Sequence, residues 1–383
     1  MAKKALVVTA LAGFITSFLQ TDIKTLQDMG YEVHCAGNAS NHAPQKNEQA
    51  FRRMGAVFHQ VDFSSRSPLS KTSWTAMKQI RKLLREEQFD LIHCHTPIAG
   101  AIVRVAAASY RRRKKTTVIY TSHGFYFHKK SDKKSWILYY TIEKLMSALC
   151  DAIITINTED YAVAQKMFCP KVYHINGAGC NTARYRNVRI DRNAYRAALG
   201  VGADQTMVLS VGELSARKNH KVVIEALAKL NDPKLVLVIC GKAIAGTGTY
   251  DSLRQAAEAG NVNVIFAGHR SDIPQICHCA DIGVLPSTRE GLGLAGIEMM
   301  SAGVPLVTSD VHGIRDYMTQ GETGYLCDPQ DADAFAEAIR KLCDPAVREA
   351  LRETCIAAAS RFDISVSLAQ RQKIYQELLS TEN

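Results

Sequence analysis

The amino-acid sequence predicts an α/β protein with two doubly wound parallel sheets. Three observations support this prediction. Short apolar runs rich in β-branched residues alternate with longer stretches in which apolar residues recur at helical spacing. The alternation stops once near the middle of the chain and then begins again. A length of 383 residues is sufficient for two such domains, each with its own apolar core.

The N-terminal residues predict a first strand–helix–strand unit. Residues 5–9 form a β-rich run that ends in a small-residue turn at Ala12 and Gly13, and residues 14–29 have a helical period. Residues 31–36 (YEVHCA) are the next strand. Lys3 and Lys4 before an apolar stretch imitate a secretory signal, but the helical period continues through polar residues, which favours the folded unit.

The alternation continues on both sides of a single interruption. Residues 176–192 lack an apolar period and are rich in Gly, Asn and Arg, so we place the domain boundary there. The predicted domains are residues 1–180 and 181–362, followed by a segment, residues 363–383, that is helical over 364–379. The remaining predicted strands are residues 56–61, 90–93, 114–120, 152–156, 171–175, 207–211, 235–240, 262–266, 281–285, 306–308 and 325–327.

Composition limits the class of protein. Residues 1–180 hold 25 Lys and Arg against 13 Asp and Glu, whereas residues 181–383 hold 22 against 24, so the positive charge belongs to the first half. The 11 cysteines are scattered without a C-x-x-C pair, which indicates reduced thiols in a cytoplasmic protein. No apolar run is long enough to span a bilayer.

Residues 286–305 (PSTREGLGLAGIEMMSAGVP) are the strongest candidate for a binding site. They follow a predicted buried strand, and ligands of open α/β sheets bind at the carboxyl ends of strands. Gly291, Leu292 and Gly293 precede a helical pattern, so backbone N–H groups can approach a ligand at a helix N-terminus. Glu290 lies in the loop, and Glu298 lies about two helical turns further on, where it suits a vicinal diol. A lone glutamate is usually a solvated charge, but this combination favours a nucleotide-sugar site.

A second loop carries two adjacent cations. Gly212 follows a predicted strand, and Arg217 and Lys218 come just before a predicted helix. A glycine turn with two positive charges at a helix N-terminus is a suitable seat for a diphosphate. A solvated surface pair is the alternative.

These motifs resemble a known family. Glu290 and Glu298 match the E-x7-E pattern of retaining glycosyltransferases with the GT-B fold, and residues 286–305 resemble glycosyltransferase family 4. The resemblance covers nearly the whole chain and is closest in HCHTPIAG, TSHGF, DAIITINTEDY and PSTREGLGLAGIEMMSAGVP. It implies two Rossmann-like domains facing across a cleft, an N-terminal acceptor domain, a C-terminal donor domain and a last helix that crosses back to the first domain.

The resemblance also implies roles for individual residues. His123 in TSHGF is similar to a histidine of bacterial exopolysaccharide transferases that faces the donor sugar and bonds a hydroxyl. Gly13 matches a glycine loop that approaches the donor, and the loop with His269 and Arg270 is expected to frame the nucleotide base. The family's G-x-L-x-x-x-K-N stretch supports diphosphate binding by the cation loop. The chain departs from the common G-V-G-V-D-T with a following Phe, having GAGCNT at residues 177–182 and then Tyr185.

The implied reaction retains the configuration of the sugar. The acceptor attacks the face that the nucleotide leaves, and the leaving phosphate helps to take the proton, so no protein nucleophile is required. Glu290 would hold the sugar, although a nucleophilic role stays open. We expect no cofactor and no metal, because the single D-x-D, at Asp331 and Asp333, starts a helix and His93-x-His95 has no third ligand nearby in sequence.

The predicted function is transfer of a hexose or N-acetylhexosamine from a nucleotide sugar, expected to be a UDP-sugar, to a lipid-linked saccharide in exopolysaccharide or capsule synthesis. The rival enzyme is a UDP-N-acetylglucosamine 2-epimerase, which shares the fold. The rival of another class is a basic nucleic-acid-binding protein, but the sequence contains no RNP, KH or helix-turn-helix pattern.

Two basic stretches of the first domain indicate where in the cell the protein is located. They are residues 111–115 and the lysines Lys129, Lys130, Lys133 and Lys134, the latter just before an apolar segment. Cations beside aromatic and apolar residues suit an anionic lipid surface, where a lipid-linked acceptor resides, although such runs are usually solvated. We therefore expect a cytoplasmic protein associated peripherally with the inner face of the plasma membrane, and we expect no nucleic-acid partner.

Overall fold

Two parallel β-sheets organise the chain. The structure is a computed structural model that describes residues 3–40, 44–64, 70–127, 132–244 and 246–379. It divides into two compact units, of which the first comprises residues 1–178 with 365–383 and the second comprises residues 179–364. No helix of the described residues is long and apolar enough to cross a membrane.

The first unit contains a seven-stranded sheet in the order β3-β2-β1-β4-β5-β6-β7. The order reverses direction between β1 and β4, which is the topological switch point of a doubly wound fold. Its strands are β1 (Lys3–Leu11), β2 (Tyr31–Asn38), β3 (Val57–Gln60), β4 (Leu91–His95), β5 (Thr117–Ser122), β6 (Ala152–Thr155) and β7 (Lys171–His174). Its helices before the boundary are α1 (Ala12–Phe18), α2 (Gln20–Asp28), α3 (Pro44–Arg53), α4 (Lys71–Glu87), α5 (Pro97–Lys114), α6 (Lys133–Ser147) and α7 (Thr158–Ala164).

The second unit contains a six-stranded sheet in the order β10-β9-β8-β11-β12-β13, with its switch point between β8 and β11. Its strands are β8 (Thr206–Val211), β9 (Leu235–Cys240), β10 (Asn263–Gly268), β11 (Ile282–Leu285), β12 (Leu306–Ser309) and β13 (Gly324–Cys327). Its helices are α8 (Thr182–Arg186), α9 (Arg192–Ala198), α10 (His220–Leu230), α11 (Thr249–Ala259), α12 (Ile273–Cys279), α13 (Leu294–Ser301), α14 (Ala332–Leu342) and α15 (Pro345–Ser360), with a 3-10 turn at His312–Asp316.

The central strands are buried on both faces. β4, β5, β6, β9, β11 and β12 are buried along their whole length. Helices on both sides of a parallel sheet produce this pattern, which is why these strands are continuous apolar runs. In the first unit, α4 and α5 cover one face through Ile80, Leu84 and Val103 against Leu6 and Ile92.

The last helix, α16 (Ile364–Leu379), belongs to the first unit from Ser365 onward. Its Arg371 Nε lies 3.2 Å from Asp22 Oδ1, and its Tyr375 hydroxyl lies 2.7 Å from His93 Nδ1. The two chain segments that connect the units pair with each other inside the second unit: Cys180 N donates to Phe362 O (2.9 Å), and Ile364 N donates to Cys180 O (2.8 Å).

Three details differ from the sequence-based prediction. The helix predicted over residues 14–29 is two helices, since Leu19 has a non-helical φ of −114° and ψ of 13°. Gly13 lies in α1 rather than in a turn. The strand predicted from residue 114 begins at Thr117, because the basic run ends α5, where positive side chains favour a helix C-terminus.

The predicted interdomain stretch contains a helix. Residues 176–192 include α8, whose Asn181 side chain accepts a hydrogen bond from Arg184 N, as an N-cap residue does. The sequence analysis also did not predict α3, α7, α9 and α15.

Candidate functional site

Two loops at the switch point of the second sheet bring the predicted donor residues together. The cation loop (residues 212–219) follows β8, and the glutamate loop (residues 286–293) follows the neighbouring strand β11. Thr288 N donates to Arg217 O at 2.9 Å, so the two loops are also joined through their backbones. This is the position at which open α/β sheets bind ligands.

Glu290 is the centre of this arrangement. Its Oε1 atom accepts hydrogen bonds from Lys218 Nζ at 2.7 Å, Arg217 Nη1 at 3.1 Å and Ser287 Oγ at 2.7 Å. Burial opposes the charge of this carboxylate, but Lys218 and Arg217 outweigh burial and keep the pKa of Glu290 below its ordinary value. In the absence of a ligand, the two cations therefore share an internal counterion.

Arg217 also contacts its own loop. Its Nη2 lies 3.2 Å from Glu213 Oε1, and its Nη1 donates to Arg289 O at 3.2 Å. The Lys218 side chain is more enclosed than that of Arg217, at 13% against 36% exposed. Lys218 is therefore the less solvated of the two charges, which strengthens its electrostatic effect on a bound anion.

The glycines shape both loops by allowing close approach. A Cβ atom on Gly313 would lie 2.0 Å from Gly291 O, so the backbone of the 3-10 turn packs directly on the glutamate loop. Gly293 begins α13 with φ of +79°, a conformation that favours glycine, and Leu292 beside it is buried. A Cβ atom on Gly212 would lie 3.0 Å from Lys218 Cε, so this glycine leaves space for the lysine side chain.

Glu298 lies on α13 and is bonded to Tyr185. Burial raises the pKa of Glu298, while the hydrogen bond from the Tyr185 hydroxyl and the charge of Arg184 act in the opposite direction. Tyr185 is the residue at which the chain departs from the usual phenylalanine, and phenylalanine has no hydroxyl to donate. The tyrosine therefore changes the surroundings of Glu298, a residue predicted to bind the nucleotide-sugar donor.

Among the described residues, no hydrogen bond or ion pair joins His269 or Arg270 to the cation loop. They follow β10, the edge strand, which is separated from β8 by β9. His269 is exposed, and Arg270 Nε donates to Asp272 Oδ1 at 2.8 Å. Asp272 also accepts from the Tyr195 hydroxyl, so the guanidinium of Arg270 is held within its own loop.

His123 lies just after β5, the neighbour of the switch-point strand β4 in the first sheet. Its ring packs edge-on against Phe14, with 4.9 Å between ring centroids, so it lies beside the start of α1 that carries Gly13. A Cβ atom on Gly13 would meet nothing within 4 Å. The space beside Gly13 could therefore admit a ligand. No neighbouring atom is so close that only glycine fits at this position.

The structure places His123 beside His93 and His95, the pair that has no third metal ligand nearby in sequence. His95 Nδ1 lies 3.1 Å from His123 Nε2, and the rings of His93 and His95 are 4.1 Å apart. Both nitrogens of His93 are already bonded, to Thr121 and Tyr375. Within the described ranges, no group of three or more His, Cys, Asp or Glu side chains is arranged to hold a metal ion.

Sequence reasoning missed several residues of these sites. Ser287 and Glu213 bond the Glu290–Arg217 pair, Tyr185 bonds Glu298, and His95 bonds His123. Ser287 and Glu213 lie three and four residues from their partners, in loops that follow predicted strands, so these two pairings were open to local reasoning. Tyr185 lies in α8 and His95 ends β4, and their pairings depend on which elements are neighbours in the fold.

Comparisons with known proteins agree with this architecture. Residues 191–361 match the family Glycosyl transferases group 1, and residues 19–177 match Glycosyltransferase Family 4. EpsD of Bacillus subtilis (strain 168), whose own assignment as a glycosyltransferase is provisional, is 34% identical across 100% of this chain and 98% of EpsD.

A relative whose name states its reaction aligns with a smaller part of this chain. The UDP-Gal:alpha-D-GlcNAc-diphosphoundecaprenol alpha-1,3-galactosyltransferase of Escherichia coli is 26% identical across 72% of this chain and 71% of that protein. The crystal structure of Anabaena HepE in complex with UDP matches with a TM-score of 0.79 at 20% identity, covering 99% of this chain and 100% of that chain. The structural match shows a shared fold. The chain belongs to the glycosyltransferases, and it joins a Family 4 N-terminal region to a group 1 C-terminal region in the GT-B fold.

Proposed function

We propose that this glycosyltransferase transfers a hexose or N-acetylhexosamine from a UDP-sugar to a lipid-linked saccharide with retention of configuration. The observation that carries the proposal is the pair of cations on the cation loop, held at 2.7 Å and 3.1 Å from Glu290 at the switch point of the second sheet. The names of the relatives support the substrates: the E. coli enzyme is named for UDP-Gal and a diphosphoundecaprenol acceptor, and HepE was crystallised with UDP.

Lys218 and Arg217 would neutralise the departing diphosphate. A metal-independent site needs positive side chains for this purpose, because negative charge accumulates on the leaving group as its bond to the sugar breaks. Both cations would exchange Glu290 for the diphosphate as their partner. Catalysis would then consist of positioning and charge neutralisation, with the leaving phosphate taking the proton of the acceptor hydroxyl.

Glu290 is better suited to positioning than to nucleophilic attack. Its Oε1 already accepts three hydrogen bonds, two of them from cations, and the lowered pKa indicates a stabilised, weakly nucleophilic carboxylate. On diphosphate binding, the carboxylate would be released to accept hydrogen bonds from sugar hydroxyls. Glu298 would accept the hydroxyls of the ribose.

The first test is a calorimetric titration of UDP, GDP, ADP and their sugars with EDTA present. We expect saturable binding of UDP and a UDP-sugar, at least ten-fold weaker binding in Glu298→Ala, and nearly complete loss of turnover in a variant with both Arg217→Ala and Lys218→Ala. Unchanged binding and turnover in these variants would refute the assigned site. Binding that requires added Mg²⁺ would refute metal independence.

Product analysis separates the alternatives. With an undecaprenol-diphosphate saccharide present, a retaining transferase yields a new α-linked saccharide and free UDP from an α-linked donor. An epimerase converts UDP-N-acetylglucosamine to its 2-epimer without an acceptor. A nucleic-acid-binding protein produces a salt-dependent RNA mobility shift and neither product.

We further propose that the first unit associates with an anionic lipid surface through α6. Ile137, Leu138 and Leu145 on this helix are 62%, 56% and 56% exposed, and Lys133 and Lys134 at its start are exposed as well. Exposed apolar side chains next to cations suit a headgroup region. Lys129 and Lys130 of the same basic stretch lie outside the described residues, and Arg111 of the other stretch is engaged by Asp151.

A vesicle flotation assay tests this location. We expect the protein to float with vesicles of 30% phosphatidylglycerol and not with neutral phosphatidylcholine vesicles, and we expect Ile137→Asp/Leu138→Asp to reduce flotation. Trp74→Asp changes an equally exposed aromatic residue on α4 of the same unit and serves as the matched control. Equal flotation of wild type and the α6 variant would exclude this helix as the lipid contact.

A further inference from the structure

Three histidines lie together at the carboxyl end of the first sheet. His93 and His95 end β4, and His123 follows the neighbouring strand β5. His93 and His95 are 0% and 1% exposed, whereas His123 is half-buried. The cluster therefore extends from two buried rings to the half-buried ring of His123 at the carboxyl end of the sheet.

His93 is fixed by hydrogen bonds on both nitrogens. Its Nδ1 lies 2.7 Å from the Tyr375 hydroxyl, which in turn lies 3.4 Å from Asp22 Oδ1, and its Nε2 lies 2.7 Å from Thr121 Oγ1. Because the carboxylate of Asp22 only accepts, the tyrosine hydroxyl donates to it and accepts from His93 Nδ1–H. Thr121 then donates to His93 Nε2. The immobilised His93 ring packs against His95 and fixes its plane.

His95 has one bonded and one unbonded nitrogen. Its Nδ1 lies 3.1 Å from His123 Nε2, while its buried Nε2 has no hydrogen-bond partner among the described residues. A buried N–H without a partner is costlier and rarer than a buried acceptor without one. The proton of a neutral His95 therefore belongs on Nδ1, from which it is donated to His123 Nε2.

We propose that His95 is a positioning residue that holds His123 as the Nδ1–H tautomer, so that His123 presents a hydrogen-bond donor to an oxygen atom of the substrate. With Nε2 occupied as an acceptor, the proton of a neutral His123 must lie on Nδ1. No hydrogen bond to this atom comes from the described part of the chain. The ligand group it recognises is then an acceptor, such as a sugar hydroxyl oxygen or a phosphoryl oxygen. This inference rests on the proposed function for the identity of the substrate, but not for the tautomer.

The surroundings favour the neutral form of all three rings. Burial lowers the pKa of His93 to about 3 and that of His123 to about 4, and the positive charge of Arg371 acts in the same direction on both. At pH 7, His123 therefore carries a single N–H, and which nitrogen bears it decides what the ring can recognise.

The tautomer is measured directly by ¹⁵N-edited NMR of the ligand-free, histidine-labelled protein at pH 7. We expect His123 to show a protonated Nδ1 and an unprotonated Nε2. We expect His95→Leu, which removes the donor, to mix the two tautomers of His123. His95→Asn keeps an N–H close to the position of Nδ1 and should preserve the wild-type spectrum. A His123 protonated on Nε2 in the wild type would overturn the proposal.

Kinetics provide the second measurement. Loss of one oriented hydrogen bond should lower kcat/KM about ten-fold in His95→Leu and less in His95→Asn. His123→Asn, which retains an N–H near Nδ1, should be more active than His123→Gln, whose amide reaches the position of Nε2. The reverse order would overturn the proposal. If no transfer activity is found for the wild type, the proposed function fails, and the NMR result still decides the tautomer.

Discussion

Replacement of Glu290 by glutamine should lower the free energy of unfolding of the ligand-free protein. The same replacement should strengthen the binding of UDP. The substitution keeps the shape of the side chain and a hydrogen-bond acceptor for Ser287 but removes the charge that Lys218 and Arg217 share. Two neighbouring cations then repel each other without an internal counterion. A bound diphosphate would supply the missing negative charge.

The magnitude follows from the geometry. A unit charge pair about 4 Å apart is worth about 4 kcal/mol at the effective dielectric of a partly buried site. Arg217 is 36% exposed and retains Glu213 at 3.2 Å, so most of the loss falls on Lys218. We expect the free energy of unfolding of the second unit to fall by about 2–3 kcal/mol. Since UDP no longer competes with Glu290, its Kd should decrease about ten-fold or more, which corresponds to about 1.4 kcal/mol.

The assay is urea unfolding and calorimetry of wild type and Glu290→Gln, each with and without UDP. Glu213→Gln is the matched control, since it removes an exposed carboxylate that pairs with Arg217 and accepts a hydrogen bond from Ser215 of the same loop. It should change neither quantity by more than about two-fold or 0.5 kcal/mol. We expect turnover of Glu290→Gln to be lost, because the substitution removes the carboxylate that we propose holds the sugar. Weaker UDP binding by Glu290→Gln than by wild type would refute the idea that the carboxylate is an internal counterion.

Three further predictions concern the donor loops and the histidine cluster. Tyr185→Phe removes a hydrogen bond that lowers the pKa of Glu298, so the loss of donor binding on acidification should begin at higher pH, as measured by the pH dependence of Kd. Gly313→Ala places a methyl group 2.0 Å from Gly291 O and should reduce the free energy of unfolding by about 1–3 kcal/mol and also weaken UDP binding. His93 has a folded pKa of about 3 against 6.5 in the unfolded chain, so its contribution to stability is complete above pH 6.5 and decreases by about 1.4 kcal/mol per pH unit below about pH 6. Urea unfolding at pH 7 and pH 5 should show this loss, and His93→Gln should show less of it.

Each of these predictions has a result that contradicts it. An unchanged pH dependence in Tyr185→Phe would mean that its hydroxyl does not act on Glu298. Normal stability of Gly313→Ala would mean that the 3-10 turn can move away from the glutamate loop. In the unfolding measurement alone, Gly13→Ala is the control for an added methyl group, since a Cβ atom there meets nothing within 4 Å. Equal pH dependence of wild type and His93→Gln would assign the acid sensitivity to other groups, such as His220 with its lowered pKa.

The sheets were predictable from sequence because buried parallel strands are continuous apolar runs. LVLVIC at Leu235–Cys240 and IGVL at Ile282–Leu285 carry this signal without ambiguity. Short helices in polar segments were harder. The start of α9 depends on one cap, the Asp191 side chain accepting from Ala194 N, and few apolar residues mark its buried face.

The sequence was sufficient to predict which residues form the candidate site. It was not sufficient to predict which of them form hydrogen bonds with each other. Glu290, Lys218 and Arg217 stood out through loop position, charge and motif, whereas their shared hydrogen bonds require β8 and β11 to be neighbours although they are far apart in sequence. His95 lies beyond the strand predicted over residues 90–93, and its sequence neighbours offer no third metal ligand. The adjacency of β4 and β5 places it against His123, and no local pattern contains that information.

The interrupted first unit has a consequence for biosynthesis. Its strands are complete when residue 178 has been made, but Tyr375 and Arg371, which bond His93 and Asp22, lie on α16 at the far end of the chain. The second unit is continuous, and its ends are joined by the backbone pairing of Cys180 with Phe362 and Ile364. We therefore expect the second unit to reach its native state first on the ribosome, while His93 and Asp22 of the first unit stay without their α16 partners until the last residues are made. A nascent chain stalled before α16 should expose this part of the first unit to proteases and chaperones.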